Sequence, residues 1–231
     1  MDLNNRVFER IYFTDNIFIN ISETFVGTWV VGIILIGLAI ITRIKLRNFK
    51  DVPETRFQKV IEALVEFFER FSTGLLTKKY NYFGPFFFGI LLFIAFSNML
   101  GLFAPLRPPT ADLATNLAMS ISTFGLMIFA GIRHGKKEFF KDYLRPIPVL
   151  LPLNIIGDVS IIASLSIRLF GNILSGLIIG GLLYMLLPVW MTIGIPAALS
   201  LFFDVFIALL QAYVFVVLSL NFIYGKVPQE A

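Results

Sequence analysis

Long apolar runs separated by short polar stretches dominate the pattern of this chain. They cover, approximately, residues 25–42, 83–106, 114–132, 147–187 and 188–224. A hydrocarbon core about 30 Å thick is crossed by about 20 helical residues. Each of the first three runs therefore predicts one transmembrane helix, and the first begins too far from Met1 to be a cleaved signal peptide.

The last two runs are about twice as long as one span requires, because about 40 helical residues measure about 60 Å. Each is either two spans joined by an unmarked turn or one strongly tilted helix. Helix-breaking residues cluster between them, at Pro188, Gly194 and Pro196, and indicate the apex of one long hairpin. The pattern predicts an all-α membrane protein, a single membrane domain over residues 1–231, with five transmembrane helices of which the last two form a long tilted hairpin.

Composition agrees with a membrane protein. The chain has 231 residues, 57% of them hydrophobic and 15% charged, and a mean hydropathy of +0.83. A soluble domain of this size needs more polar residues to cover its surface. The chain has no cysteine, and its one histidine, His134, lies in a charged loop. We therefore predict no disulfide, no metal site and no haem or other cofactor.

Basic residues are distributed unevenly between the runs. Of the 19 Lys and Arg, nine lie between the first and second runs, five between the third and fourth, and one after the last. Two precede the first run, one lies between the second and third, and Arg168 lies within a run. With the N-terminus outside, 15 face the cytoplasm and three face out, which is the usual bias. We predict an external segment 1–24 and a cytoplasmic C-terminus, so the net charge reflects topology rather than nucleic-acid binding.

Segment 54–79 has helical periodicity but too many charges to span a membrane. Its apolar residues recur three and four apart, whereas Glu62, Glu66, Glu69 and Arg70 fall on other faces. This pattern predicts an amphipathic helix on the cytoplasmic membrane surface. Such a helix serves either as a lipid-interface anchor or as a docking surface for a cytoplasmic partner.

Polar residues at helical spacing occur inside three of the runs. One face of the fourth run carries Ser160, Ser164, Arg168, Asn172 and Ser175. The fifth run carries Ser200, Asp204 and Gln211, and the third carries Asp112, Asn116 and Ser120. Serine and asparagine stripes also join helices by simple packing. Arg168 is more informative, because an arginine in mid-membrane costs about 2.5–3.5 kcal/mol on insertion scales and usually marks a polar pathway.

The segment SLSIRLFGN around Arg168 resembles the signature of subunit a of the F-type ATP synthase, the stator half of its membrane rotary motor. SNMLG at 97–101, PPTAD at 108–112 and LLQAYVFVVLSLNFIY at 209–224 occur in the family's order. The resemblance covers nearly the whole chain from about residue 50, and the four motifs together are far more specific than an isolated arginine. The family's five-span topology, with two long tilted C-terminal helices, agrees with the pattern of runs.

The resemblance implies roles for individual residues. Arg168 matches the family's essential arginine, Asn172 matches the asparagine of RLFGN, and Gln211 matches the glutamine of the final helix. Asp204 stands where relatives have a histidine or an acid. Leu177 departs from the family, because many bacterial relatives have glutamate there. Our hypothesis is that Asp204 replaces this missing acid.

A second departure is Ile161–Ile162, where many relatives have a Lys-Pro pair. It concerns the inner of two half-channels that the family implies for H⁺ or Na⁺. We expect Asp158 and Ser160 to line that inner half-channel, with Ser164 on the same translocation path. We expect the outer one to be lined by Asp204, Asp112 and Asn116.

The partners implied by the resemblance are a rotor ring of c subunits, the b-subunit peripheral stalk and the remaining ATP synthase subunits, in a bacterial cell membrane. Each c subunit carries a mid-membrane carboxylate, which is neutral where it faces lipid because desolvation disfavours its charged form. The guanidinium of Arg168 does not titrate. Its fixed charge would force the ion off the carboxylate and block a leak between the half-channels.

Two other classes of membrane protein are alternatives. A secondary transporter, with Arg168 binding an anionic substrate, predicts internal repeats and broken helices in both halves, and the sequence shows no repeat. A redox or quinone-binding subunit needs histidine ligands or a chain of acidic residues, and the runs contain neither.

Overall fold

The computed structural model describes residues 7–14, 17–46, 55–103, 107–144, 147–186, 188, 194 and 201–227, some of them by their backbone alone. Within these ranges, five helical stretches are long and apolar enough to cross a membrane. The membrane-spanning part of the chain is therefore all-α, as its apolar runs predict.

Seven α-helices account for most of the described residues. They are α1 (Glu23–Leu46), α2 (Arg56–Tyr80), α3 (Gly84–Phe103), α4 (Leu113–Ala130), α5 (Lys136–Leu144), α6 (Leu151–Leu186) and α7 (Ala208–Lys226). Short 3₁₀ turns precede α3, α4 and α6, at Asn81–Phe83, Pro109–Ala111 and Pro148–Leu150. Two π-helical turns, Gly131–Gly135 and Leu201–Ile207, follow α4 and precede α7.

The helix ends lie within a few residues of the predicted runs for α1, α3 and α4. Helix α6 has 36 residues, about 54 Å at 1.5 Å per residue, so it exceeds the hydrocarbon core as its run predicts. Part of the run 188–224, including most of the predicted apex, lies outside the described residues. The short helix α5, which lies between the third and fourth spans, was not predicted.

A β-hairpin precedes the first span and was also not predicted. Strands β1 (Val7–Thr14) and β2 (Ile17–Ser22) pair antiparallel, with Arg10 opposite Asn20 and Tyr12 opposite Phe18. Both strands are rich in β-branched and aromatic residues, which favour extended structure. The described residues 7–14 and 17–22 thus form a hairpin within the segment 1–24, and the external position of that segment stays a prediction.

Helix α2 forms where the amphipathic pattern of 54–79 predicts it. The side chain of Thr55 caps it by accepting a hydrogen bond of 3.2 Å from the backbone N–H of Gln58. A row spaced by four, consisting of Phe68, Ser72, Leu76 and Tyr80, is buried against the bundle. The backbone turns sharply at Thr77, which has φ 66° and ψ 154°. The location of α2 on a membrane surface stays a prediction.

The core lies between two pairs of helices. Helix α6 packs mainly against α4, and α7 packs mainly against α3. The buried side chains that join these pairs are large and apolar, and they include Phe87, Ile94, Met127, Leu165, Leu169, Phe215, Val216 and Leu220. Helices α6 and α7 meet each other over a shorter stretch, so polar contacts carry more of their association.

The bundle has two ends, which we name after a residue at each. At the Asp112 end, Thr24 at the start of α1 donates a hydrogen bond of 3.2 Å to Asp112 at the start of α4. At the Lys226 end, the last turn of α7 lies beside Gly135, which follows α4. Helices α1, α4 and α7, which are the first, third and fifth spans, therefore run in the same direction, as spans that alternate in direction require.

Candidate functional site

Arg168 lies on α6 at the border between a packed face and an open face. Leu165 and Leu169 on one side are buried in the core, whereas Ile167 is 60% exposed and Arg168 itself is partly exposed. Among the described residues, none forms a hydrogen bond or an ion pair with the Arg168 guanidinium. The described part of the chain therefore does not neutralise the charge of Arg168, and a group outside that part can pair with it.

One turn along α6, Asn172 connects to α7. Its side-chain N–H donates a hydrogen bond of 2.8 Å to the side-chain oxygen of Gln211. Gln211 is buried, whereas Asn172 is exposed. The structure thus brings together three of the predicted site residues, because Arg168 and Asn172 are four residues apart on the same helix face.

The backbone of Asp204 lies in the π-helical turn Leu201–Ile207. The side chain of Asp204 is not among those that the structure describes. Ser200 and the side chain of Leu177 lie outside them as well. The predicted common face of Asp204 and Gln211 assumed regular α-helical spacing. A π turn bonds residue i to i+5 and shifts that spacing, so the argument from spacing alone does not hold here.

Asp112 acts as the N-cap of α4. Its carboxylate accepts a hydrogen bond of 3.1 Å from the backbone N–H of Ala114 and one from Thr24. Asn116, one turn on, is fully buried and donates a hydrogen bond of 2.8 Å to the backbone oxygen of Thr110. Asp112 and Asn116 were predicted to share one face of a helix; Asp112 is instead the residue that caps α4, and this capping role was not predicted.

Several buried polar atoms have no hydrogen-bond partner among the described residues. They belong to Ser97 on α3, to Asn116, Ser120 and Thr123 on α4, and to Gln211 on α7. We name these five residues the polar track. Buried polar groups usually find a partner in protein or in ordered water. Thr123 extends the Asn116–Ser120 stripe by three residues, which is the signal that sequence analysis missed.

Asp158 lies at the Lys226 end, far from Arg168. Its carboxylate forms an ion pair of 2.7 Å with Lys226 and accepts a hydrogen bond from the hydroxyl of Tyr143. Burial, this hydrogen bond and the charge of the carboxylate all raise the pKa of Tyr143, so the hydroxyl keeps its proton. Ser160, the other residue predicted for the inner half-channel, and Ser164, predicted for the translocation path, are exposed on α6. The hydroxyl of Ser160 donates a hydrogen bond to the backbone oxygen of Gly157.

Comparisons with known proteins match the sequence of this chain to a family. The family model described as "ATP synthase A chain" matches residues 25–224. The chain belongs to the ATP synthase subunit a family. It is 36% identical to "ATP synthase subunit a, sodium ion specific" of Propionigenium modestum, over 90% of this chain and 74% of that protein. It is 34% identical to "ATP synthase subunit a" of Desulfosudis oleivorans, over 95% and 93% of the two chains.

A third relative, "ATP synthase subunit a 1" of Crocosphaera subtropica, is 33% identical over 89% of this chain and 86% of that protein. Membership in the subunit a family confirms the resemblance carried by the four motifs. It makes the chain a multi-pass membrane component of an ATP synthase, in the ion-translocating part of that complex. The secondary-transporter and redox-subunit alternatives are thereby excluded.

Proposed function

We propose that this chain is the ion-translocating stator subunit of a rotary ATP synthase, and that Arg168 acts on the carboxylates of a c-subunit ring. The observation that carries the proposal is the partly exposed Arg168, which has no ion pair within the described chain. A permanent charge in an apolar environment is costly. We expect such a charge to be retained where the carboxylate of a passing c subunit neutralises it.

The chemistry of Arg168 follows from its fixed charge. A rotor carboxylate is neutral in lipid, with H⁺ or Na⁺ bound, because burial disfavours its ionised form. Beside the guanidinium the ionised form is favoured, and the ion leaves. The same positive charge repels cations and prevents them from passing directly between the two access paths. Arg168 neither donates nor accepts a proton in this scheme, because its pKa lies above 12.

The open face of α6 suits a rotor surface. A Cβ added at Gly171 meets no atom within 4 Å in the described chain, so this glycine is not explained by packing against it. Small residues allow another helix to approach closely. Ile167, which is 60% exposed, lies next to Arg168 on this side. We assign this face to the c ring, and we expect the b-subunit stalk to bind elsewhere on the chain.

The outer half-channel is assigned to the polar track together with Asp112 and Asp204. Polar atoms of the polar track are buried without a partner among the described residues, and such atoms attract bridging water where there is room for it. In this proposal the track runs from Asn116, near the Asp112 end, to Gln211, which is hydrogen-bonded to Asn172, one turn from Arg168 on α6. An ion entering along it reaches the rotor next to the fixed charge.

The inner half-channel is assigned to the Lys226 end. A cavity of about 380 Å³ opens there beside Asn154, Gly157, Asp158 and Lys226. With the N-terminus outside, as the basic residues predict, this end faces the cytoplasm. A membrane potential supplies about 2.3 kcal/mol per charge per 100 mV, and two offset half-channels convert it into rotation of the ring.

The test uses the complete ATP synthase reconstituted into liposomes. Arg168→Ala is expected to abolish ATP-driven ion pumping while the complex still assembles, as judged by copurification of all subunits. The matched control is Arg70→Ala, which removes an exposed arginine whose ion pair with Glu66 lies within one helix. Normal pumping by Arg168→Ala would refute the proposal.

A further inference from the structure

Three groups from three helices meet at the Lys226 end. The ammonium group of Lys226 on α7 lies 2.7 Å from the carboxylate of Asp158 on α6 and 3.3 Å from the hydroxyl of Tyr143 on α5. The same ammonium lies 4.4 Å from the centre of the Tyr143 ring. The side chains of Asp158 and Lys226 are only 13% and 25% exposed. Screening by water is therefore weaker than for a surface ion pair, and the contact is directional.

Helix α5 is tied to the same place by a second contact. The side-chain N–H of Asn154 on α6 donates a hydrogen bond of 2.9 Å to the backbone oxygen of Tyr143. Tyr143 is thus held from both sides, by its backbone and by its hydroxyl. This arrangement fixes where the hydroxyl meets Asp158, and it connects the loop between the third and fourth spans to the end of the chain.

The ion pair and the Asn172–Gln211 hydrogen bond form two rungs between antiparallel helices. The rungs are separated by 14 residues on α6 and by 15 residues on α7, which is about 21 Å and about 22 Å of helix. The two spacings match, so both rungs are satisfied in one axial register. A slip by one turn, about 5.4 Å, would break both. Arg168 lies between the rungs and moves with α6.

This arrangement matters because α6 and α7 have other main packing partners, α4 and α3. Because α6 and α7 share only a short stretch of packing with each other, the ion pair, which has one preferred geometry, fixes their relative position more specifically than their apolar contacts do. We propose that Lys226, Asp158 and Tyr143 form a latch that sets the axial register of α6 against α7, so that Asp158 and Lys226 are positioning residues for Arg168. This inference rests on the proposed function for its consequence in ion transport, but the register itself is testable without transport.

The test is disulfide cross-linking in the assembled complex. The chain contains no cysteine, so a disulfide within it can form only between introduced residues. The reporter pair is Asn172→Cys with Gln211→Cys, which also removes the mid-membrane rung and leaves the latch to set the register. Adding Lys226→Ala is expected to lower the yield of this disulfide about fivefold, whereas adding Arg70→Ala leaves it unchanged.

Two further variants keep the test decisive. The reversed pair, Asp158→Lys with Lys226→Asp, is expected to restore the disulfide yield, because the attraction is regained with opposite polarity. Tyr143→Phe keeps the ring and removes only the hydroxyl, so it is expected to give an intermediate yield even if Lys226→Ala fails to assemble. An unchanged yield in both Lys226→Ala and Tyr143→Phe would overturn the latch.

Transport gives an independent readout in the cysteine-free chain. Lys226→Ala is expected to reduce ATP-driven pumping, and Lys226→Arg, which retains the charge, is expected to restore it. If the latch proposal is wrong, the disulfide yield does not change with Lys226→Ala or Tyr143→Phe, whatever the effect of Arg168→Ala on pumping. If the proposed function is wrong, Arg168→Ala pumps normally while the disulfide yield still responds to Lys226. The two failures are therefore distinguishable.

Discussion

Asn172 and Gln211 are joined by a hydrogen bond of 2.8 Å although they lie 39 residues apart in the chain. The bond links α6 to α7 one turn from Arg168. Gln211 is 5% exposed, and its side-chain nitrogen has no partner among the described residues. The side chain of Gln211 is largely desolvated, and the amide of Asn172 is its one hydrogen-bond partner among the described residues. Loss of the Asn172 amide therefore leaves both polar side-chain atoms of Gln211 without a described partner.

This relationship predicts strong coupling between the two residues. Asn172→Leu is expected to destabilise the complex by about 1–3 kcal/mol, because it leaves a buried acceptor without a hydrogen bond. Gln211→Leu removes the buried polar group as well. The double variant Asn172→Leu/Gln211→Leu is therefore expected to cost less than the sum of the two single variants. The measurement is the midpoint of thermal dissociation of the purified complex, and simple additivity would contradict the pairing.

Much of the fold was predictable because a single physical requirement dominates it. Each helix that crosses the membrane must be long and apolar, and the runs therefore located α1, α3, α4 and α6 from composition alone. Arg168 was predictable for the opposite reason, since one charge inside such a run needs a functional explanation. These inferences depend on local sequence only.

Contacts between distant residues were not predictable in the same way. The partner of Asp158 is Lys226, 68 residues later, and no local periodicity connects them. Asp158 was expected to line the inner half-channel, and its ion pair with Lys226 was not predicted. The π turn before α7 and the positive φ of Thr77 are also invisible to hydrophobic periodicity, because each changes the backbone without changing the pattern of apolar residues.

Asp204 provides a test of how the chain compensates for its departure at Leu177. Asp204→Asn removes the acid that we assign to the outer half-channel, and it is expected to lower ATP-driven pumping about 100-fold, as loss of a proton-transfer group does. Adding Leu177→Glu is expected to restore part of the activity. Asp204→Glu, which keeps a carboxylate, serves as the control. Normal pumping by Asp204→Asn would contradict the compensation hypothesis.

Asp112 has two assigned roles, which two substitutions separate. Asp112→Ala removes the N-cap of α4 and is expected to lower stability by about 1 kcal/mol. Asp112→Asn retains a capping oxygen, so its thermal midpoint should remain near that of the original chain. If the carboxylate also serves the outer half-channel, Asp112→Asn pumps more slowly despite its normal stability. Unimpaired pumping by Asp112→Asn would restrict Asp112 to capping.

The last prediction concerns the hydroxyls of the polar track, which either bind water or lie in a part of the core without water. Thr123 is 2% exposed, and its hydroxyl has no partner among the described residues. Thr123→Val keeps the shape and removes the hydroxyl. If the hydroxyl holds a water molecule on the ion path, pumping falls, since that water loses one of the polar partners that keep it in place.

The control for Thr123→Val is Ser122→Ala, one residue away on the exposed side of α4, where the hydroxyl bonds the backbone oxygen of Ala118 at 2.8 Å. It is expected to leave pumping unchanged. The opposite outcome is equally clear, because removing an unpaired polar group from a dry core stabilises a protein or leaves it unchanged. Normal pumping by Thr123→Val, with a thermal midpoint that is unchanged or raised, would therefore remove Thr123 from the ion path.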